Sequence, residues 1–371
     1  MNQITGSFDL IKRINRKLVL EKIKEKQPIS RAQLAKELSL SKTTVSAIAD
    51  ELLEKKLITD LGERVPTKGS GRPSKMLGFN PHSACLLGVD LTLKDTVILI
   101  TDLNGEILFH AAKSPISSAS EIVLKILETL REAQIPQQRV IGLGISIPGS
   151  VSTKGMVIRA NAFGWLEFDL KQHLKPYFSF PVFVNNVANC AALGERWRGA
   201  GEQADDLFYL VVGPGVGSAF LCHGNLIYGA DSRSGEVGYT VGKEQFEQGT
   251  CNISGKPGLF EEKIERLMQK DEAWKEAPQG QPLHEAAREC LGELALLIGN
   301  AVNLLNPRTV LIGGRHAQTL SPYLPHLKEM VQRVTPLPVN LAMATLGREA
   351  PALGAAAEAM ECIQQLGTMG E

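Results

Sequence analysis

The chain has no long hydrophobic run, no paired cysteines and no overall charge. No stretch of 18 consecutive apolar residues occurs in its 371 residues, so no membrane-spanning helix is expected. No N-terminal apolar segment of the secretory type is present either. Cys85, Cys190, Cys222, Cys251, Cys290 and Cys362 are widely separated. None forms a CxxC pair, which argues against a disulfide framework and against a zinc ribbon. A reducing, cytoplasmic setting is expected.

The charge is absent only in sum. Residues 1–78 carry 16 Lys and Arg against 9 Asp and Glu, while the remaining residues carry 24 against 31. A basic end on an otherwise acidic chain points to nucleic acid as the partner of that end.

That basic end has a recognisable pattern. Leu10, Ile11, Ile14, Leu18, Leu20 and Ile23 recur at helical spacing, and Gln27-Pro28 ends that helix. Ser30 is placed to cap a second helix, with Gln33 as its capping-box partner and Leu34 and Leu38 inward. Ser39-Leu40-Ser41 makes a turn, and Ser41 caps a third helix. That third helix hides Val45, Ile48 and Leu52, which leaves Ser41, Lys42, Thr43, Thr44 and Ser46 as the candidate DNA-reading residues. This is how a helix-turn-helix offers side chains to a major groove. Leu57-Ile58-Thr59 begins a strand, and GERVPTKGSGRPSKMLGF reads as a wing carrying Arg64, Lys68, Arg72 and Lys75. Arg72, between Gly71 and Pro73, suits a minor groove, and Lys75 a phosphate. A small helical bundle without DNA, or a protein-binding winged helix, are the alternatives.

The rest alternates strands and helices. CLLGVDLTLKDTVILITDLNGEIL gives three strands, 119–133 an amphipathic helix, and VIGLGISIPG and PVFVNN further strands. ANCAALGERWRG is a helix, and DDLFYLVVGPGVGSAFLCHGNLIYG is a second strand–glycine turn–strand unit. A helix over 284–305, the strand TVLIGG and a last helix near 352–365 complete an α/β architecture of two lobes.

With SKTTVSAIADELLEKKLI, GRPSKML, IGLGISIPGSV, NAFGW, NNVANCAALGE, GPGVGSAF, SGEVGY and LNPRTVLIGG in order, the chain resembles the ROK family (repressors, open reading frames, kinases). The resemblance is to its xylose-repressor-like branch. It implies an N-terminal winged helix-turn-helix over 1–80 and an actin-like, ribonuclease H-like ROK body over 81–371. Lobe one would span about 81–187 plus a C-terminal helix near 350–367, and lobe two about 188–349. A sugar would lie between the lobes.

The chain departs from the kinases of that family. Val187 stands where they carry the catalytic Asp, and valine cannot accept a proton. Leu91-Thr92-Leu93-Lys94 replaces a glycine-rich phosphate loop, and Pro214 removes an N–H from the second loop. The family's zinc ligands align with Tyr239, Asn252, Ser254 and Leu259, and Cys251 is out of register. No metal, no cofactor and no enzymatic activity are therefore expected.

Sugar-contacting positions that the resemblance implies are Asn161, Trp165, Asn186, Val187, Glu236, Tyr239 and Glu261. Amides and carboxylates suit neighbouring hydroxyls. Plainer readings remain for each: a strand-end turn for Asn186, an exposed loop carboxylate for Glu236, a solvated helix for Glu261, core for Trp165. The expectation is a DNA-binding regulator, a repressor of carbohydrate-utilisation genes. Its partners would be double-stranded operator DNA and a sugar, sugar phosphate or sugar acid, and it would form a homodimer or homotetramer. A sugar kinase with a DNA-binding appendage and a repressor controlled by a protein partner are the rival readings.

Overall fold

The computed structural model describes residues 2–64, 74–92, 94–247, 249–253, 256–270, 274 and 283–366. The wing tip with Lys68 and Arg72, and also Leu93 and Ser254, lie outside these residues.

The head comprises α1 (Asn2–Lys26), β1 (Ile29–Ser30), α2 (Arg31–Glu37), α3 (Lys42–Glu54), β2 (Ile58–Arg64) and β3 (Ser74–Phe79). Its antiparallel sheet runs in the order β1-β3-β2. Helix α2 starts where the capping box forms: Ser30 N–H donates to Gln33 Oε1 at 2.9 Å, and Gln33 N–H returns to Ser30 Oγ at 3.3 Å. Ser39 takes a left-handed φ of 54° to make the turn, and Ser41 Oγ then accepts Thr44 N–H at 3.0 Å to begin α3. Burial of Leu34, Val45, Ile48, Ala49 and Leu52 fixes the two helices against one core.

Helix α1 differs from the expected face. Val19, Leu20 and Ile23 are buried, whereas Ile11, Ile14 and Leu18 are exposed. The reason is a change of neighbours along its length. Its C-terminal turns enter the core, while Lys12 and Arg16 further up pair with Glu51 of α3 at 3.5 and 2.6 Å.

Lobe one contains β4 (Cys85–Leu91), β5 (Thr96–Thr101), β6 (Ile107–Lys113), α4 (Ala119–Glu132), β7 (Val140–Ile147), β8 (Ser150–Val151), β9 (Val157–Ala160), β10 (Trp165–Phe168), α5 (Leu170–Leu174) and β11 (Val182–Asn186), and α6 (Val187–Arg198) follows, packed against α12 and the second body sheet. Lobe two follows with β12 (Leu207–Val212), β13 (Val216–Cys222), β14 (Asn225–Leu226), α7 (Lys243–Glu247), α8 (Leu259–Met268), α9 (Glu285–Leu305), β15 (Thr309–Gly313), α10 (Ala317–Leu320), α11 (Leu324–Val334) and β16 (Asn340–Met343). The last helix, α12 (Ala350–Leu366), returns to lobe one.

Each lobe is built on one plan. The sheets run β11-β7-β4-β5-β6 and β14-β13-β12-β15-β16. In both, the first strand pairs antiparallel with its hairpin partner and parallel with the strand after a helix. The antiparallel trio β8–β10 is a separate small sheet.

Helix α12 lies unusually close to the lobe-one sheet. A Cβ at Gly88 would stand 2.0 Å from Ala352 O, and one at Gly144 1.8 Å from Ala355 O. Only glycine admits this approach. The same helix also reaches the head. Ala356, Ala359, Met360 and Ile363 share one apolar cluster with Val19, Ile23, Leu52 and Leu77 of the head. At the same junction the Lys24 ammonium sits 4.3 Å over the Phe79 ring, and burial pulls its pKa down to about 8. Head and body therefore have a common core. No described helix is long and apolar enough to cross a membrane.

Candidate functional site

The residues singled out above fall into two groups, one on the head and one in the body. On the head, Ser41, Lys42 and Thr43 are exposed at the start of α3, and Thr44 and Ser46 are partly exposed. The Ser41 hydroxyl lies 2.7 Å from both Thr43 Oγ1 and Thr44 Oγ1, so three hydroxyls cluster at the helix N-terminus. Lys42 stands beside them. Lys75, at the base of the wing, is exposed and pairs with Asp60 at 3.2 Å.

The second group is in the body. Asn186 caps α6 by accepting Asn189 N–H at 2.8 Å, and Val187 is the first residue of that helix. The neighbouring Asn185 is buried and donates to Tyr228 Oη at 3.2 Å and Glu358 Oε1 at 2.9 Å. Tyr228 begins the loop that ends at Glu236. That loop is pinned to β13 where Ser218 N–H donates to Gly235 O at 2.8 Å, and to lobe one where Thr153 N–H donates to Ser232 Oγ at 3.0 Å. One loop of lobe two thus joins the end of β11 to Glu236.

Glu261 feels the charge of Glu236. Burial raises the carboxyl pKa of Glu261, and Glu236 raises it further. Burial likewise raises Glu236, against the pull of Arg233. Glu261 borders the glycine turn: a Cβ on Gly215 would lie 3.7 Å from its Oε1, and one on Gly238 3.1 Å from its Oε2. The pair forms an acidic, hydrogen-bond-accepting wall.

Tyr239 is placed differently from a simple ligand contact. Its hydroxyl donates to Lys256 O at 2.8 Å. Asn252 Nδ2 donates to Tyr239 O at 2.7 Å, while Asn252 Oδ1 accepts Leu259 N–H at 3.0 Å. These bonds fasten segment 239–259 to the start of α8. Asn161 lies in the turn between β9 and β10. Trp165, half-buried, stacks between Phe163 and Phe168 at 4.9 and 5.1 Å against the lobe-one core. It is a packing residue as well as a candidate contact.

The turn corresponding to a first phosphate loop is closed on itself. Thr92 Oγ1 accepts Lys94 N–H at 3.2 Å and Asp95 N–H at 3.1 Å, and Thr92 N–H donates to Asp95 O at 3.0 Å. The Asp95 carboxylate is ion-paired with Arg348. Backbone donors that would cradle a phosphate are therefore engaged. In the second turn, Gly213 N–H donates to Gly215 O at 3.1 Å around Pro214.

A buried polar group escaped the sequence reading. Ser146 Oγ donates to Asp90 Oδ1 at 2.6 Å, and burial pushes the Asp90 pKa up to about 6. Burial also pushes Glu358 up to about 7. Asn189 donates to Asn185 Oδ1 at 2.9 Å. The available signal was polar residues inside otherwise apolar strands, GVDL, GISI and FVNN, where the pattern calls for valine or isoleucine.

Comparison with known proteins agrees with this arrangement. The ROK family model matches residues 86–361, and a MarR family model matches residues 14–61. A xylose repressor of Caldicellulosiruptor bescii is 29% identical over 88% of this chain and 90% of its own length. A glucokinase of Halalkalibacterium halodurans is 28% identical over 58% of this chain and 74% of its own. Among solved structures, a ROK family transcriptional regulator described as a homolog of the E. coli MLC protein superposes with a TM-score of 0.78. It is 23% identical and covers 97% of this chain and 98% of its own.

Proposed function

The chain belongs to the ROK family, and on that premise we propose that it is a sequence-specific DNA-binding transcriptional regulator. It represses carbohydrate-utilisation genes, and a sugar in its non-catalytic, kinase-like body modulates operator binding. Residues 1–80 are the reader and 81–371 the sensor. The carrying observation is the apolar cluster that α12 shares with the head. A change in how the lobes sit on α12 moves the reader directly. Allostery requires such a physical coupling between two sites.

In the reader, Lys42, Thr43 and Ser46 face base edges, Ser41 and Thr44 order the helix start, and Arg72 and Lys75 contact the backbone or minor groove. A homodimer matches a two-fold operator. In the sensor, Asn161, Asn186, Glu236 and Glu261 take the sugar hydroxyls, with Trp165 and Tyr239 offering ring faces and Val187 an apolar contact. The neighbouring Glu236 and Glu261, where ionised, repel a further negative charge, and burial, which raises both carboxyls, disfavours it too. The effector class is therefore a neutral or amino sugar rather than a sugar phosphate or sugar acid. Val187 supplies no base, and the N–H groups of Thr92, Lys94 and Asp95 are already engaged within their own turn, so phosphoryl transfer is not the activity.

The test is a thermal-shift screen of the whole protein against neutral, amino and phosphorylated sugars, because a ligand of the folded state raises Tm. Hits are then added to an operator-binding assay. A neutral sugar that stabilises the wild type, fails with Glu236→Ala and changes operator affinity supports the reading. Sugar-dependent ATP turnover, or operator binding indifferent to every hit, overturns it.

A further inference from the structure

Away from both groups, three side chains of different donor chemistry converge. We propose that Asp206, Cys222 and His223 form a binding site for a borderline-soft divalent cation such as Zn²⁺. One ligand atom from each residue lies within 4.8 Å of the other two. The site sits at the end of β12 and β13 far from the Gly213–Val216 turn, and apart from segment 239–259.

The backbone builds the arrangement. Leu207 pairs with Leu221 in the antiparallel ladder, so the next rung outward sets Asp206 opposite Cys222. His223 then turns sharply with φ of 48°, a left-handed conformation uncommon for a non-glycine residue. Its N–H donates to Asp206 Oδ1 at 3.0 Å, and Asn225 Nδ2 holds its carbonyl at 2.9 Å. The peptide N–H and C=O of His223 are thus both committed, and the imidazole projects on the same side as the Asp206 carboxylate, 3.9 Å from it. Among the described residues, the contacts of the Asp206 carboxylate run through Oδ1.

Carboxylate, thiolate and imidazole together favour zinc over the harder calcium and magnesium. Donors around a tetrahedral zinc with bonds of about 2.0–2.3 Å stand roughly 3.3–3.8 Å apart. Small side-chain rotations bring these three to that spacing, and water fills the fourth position. Arg196, next to this rim through Asp205, is compensated by its pairs with Asp205 at 3.4 Å and Glu361 at 3.0 Å.

The experiment titrates Co²⁺ into the full-length, metal-stripped, reduced protein and follows the thiolate-to-cobalt charge-transfer absorption. One equivalent is expected to bind, with the band lost in Cys222→Ser. His223→Asn keeps a residue that tolerates the left-handed turn and is expected to weaken binding more than about a hundredfold, beyond the effect of losing a supporting group. Cys251→Ser, at an exposed thiol elsewhere, is expected to change nothing. Absence of the band in the wild type, or its loss in Cys251→Ser with retention in Cys222→Ser, overturns the proposal.

Discussion

Asn185 donates to the Glu358 carboxylate at 2.9 Å, tying the strand that leads to Asn186 to the helix on which the head rests. Tyr228, on the loop leading to Glu236, contacts the same asparagine. The sensor loop, the end of β11 and α12 therefore meet at one buried amide.

That carboxylate sets a pH dependence. Its folded pKa of about 7 lies above the unfolded value. The folded state binds the extra proton, so this contribution to stability is complete below about pH 4.3 and is lost as pH rises through about 7. Glu358→Gln is expected to remove that slope. It should leave the protein more stable than wild type at pH 8, by of order 1–3 kcal/mol. Urea unfolding at pH 5, 7 and 8 checks this; an unchanged slope counts against the assignment.

On the reader, Lys42→Ala is expected to weaken operator binding. If the ammonium contacts a phosphate, the slope of log affinity against log salt falls by about one. If it reads a base, discrimination against mismatched operators relaxes instead. Fluorescence anisotropy over a salt series separates the two, and an unaltered affinity would remove Lys42 from the interface.

The close seating of α12 gives a third prediction. A Cβ at position 144 would meet the Ala355 carbonyl, which is backbone and cannot swing away. Gly144→Ala should cost about 2–4 kcal/mol, at or above the usual range for overpacking. Denaturant midpoints measure it, and a neutral result would mean that α12 sits farther from β7.

Asn252→Ala should free segment 239–259 without unfolding the lobe, since it removes the bonds to Tyr239 and Leu259. Faster amide exchange confined to this segment is the expected readout. A loss of about 1–3 kcal/mol follows if the stranded groups stay dry.

Much of this architecture was legible because the signals were local. Ser30 with Gln33, and Ser41 before an apolar 3.6-residue period, define α2 and α3 from short-range chemistry. The strands of both lobes announce themselves by β-branched runs between glycine turns. The exposed stripe of Ile11, Ile14 and Leu18 was not legible, because which face of α1 is covered depends on the remote α12. Strands β8–β10 are only two to four residues long, too short for a period to register. The site residues were readable only by likeness to a family. Their hydrogen bonds, such as the Tyr239 hydroxyl turning to Lys256, depend on tertiary placement.

The core common to head and body also defines what can be exchanged between proteins of this design. A reader transplanted as residues 1–80 would take Val19, Ile23 and Leu77 out of the cluster they share with Ala356, Met360 and Ile363. The transferable part is the reader together with the residues of α12 in that cluster, two segments from opposite ends of the chain. New DNA specificities should thus arise more readily by changing a few side chains on α3 than by swapping whole heads.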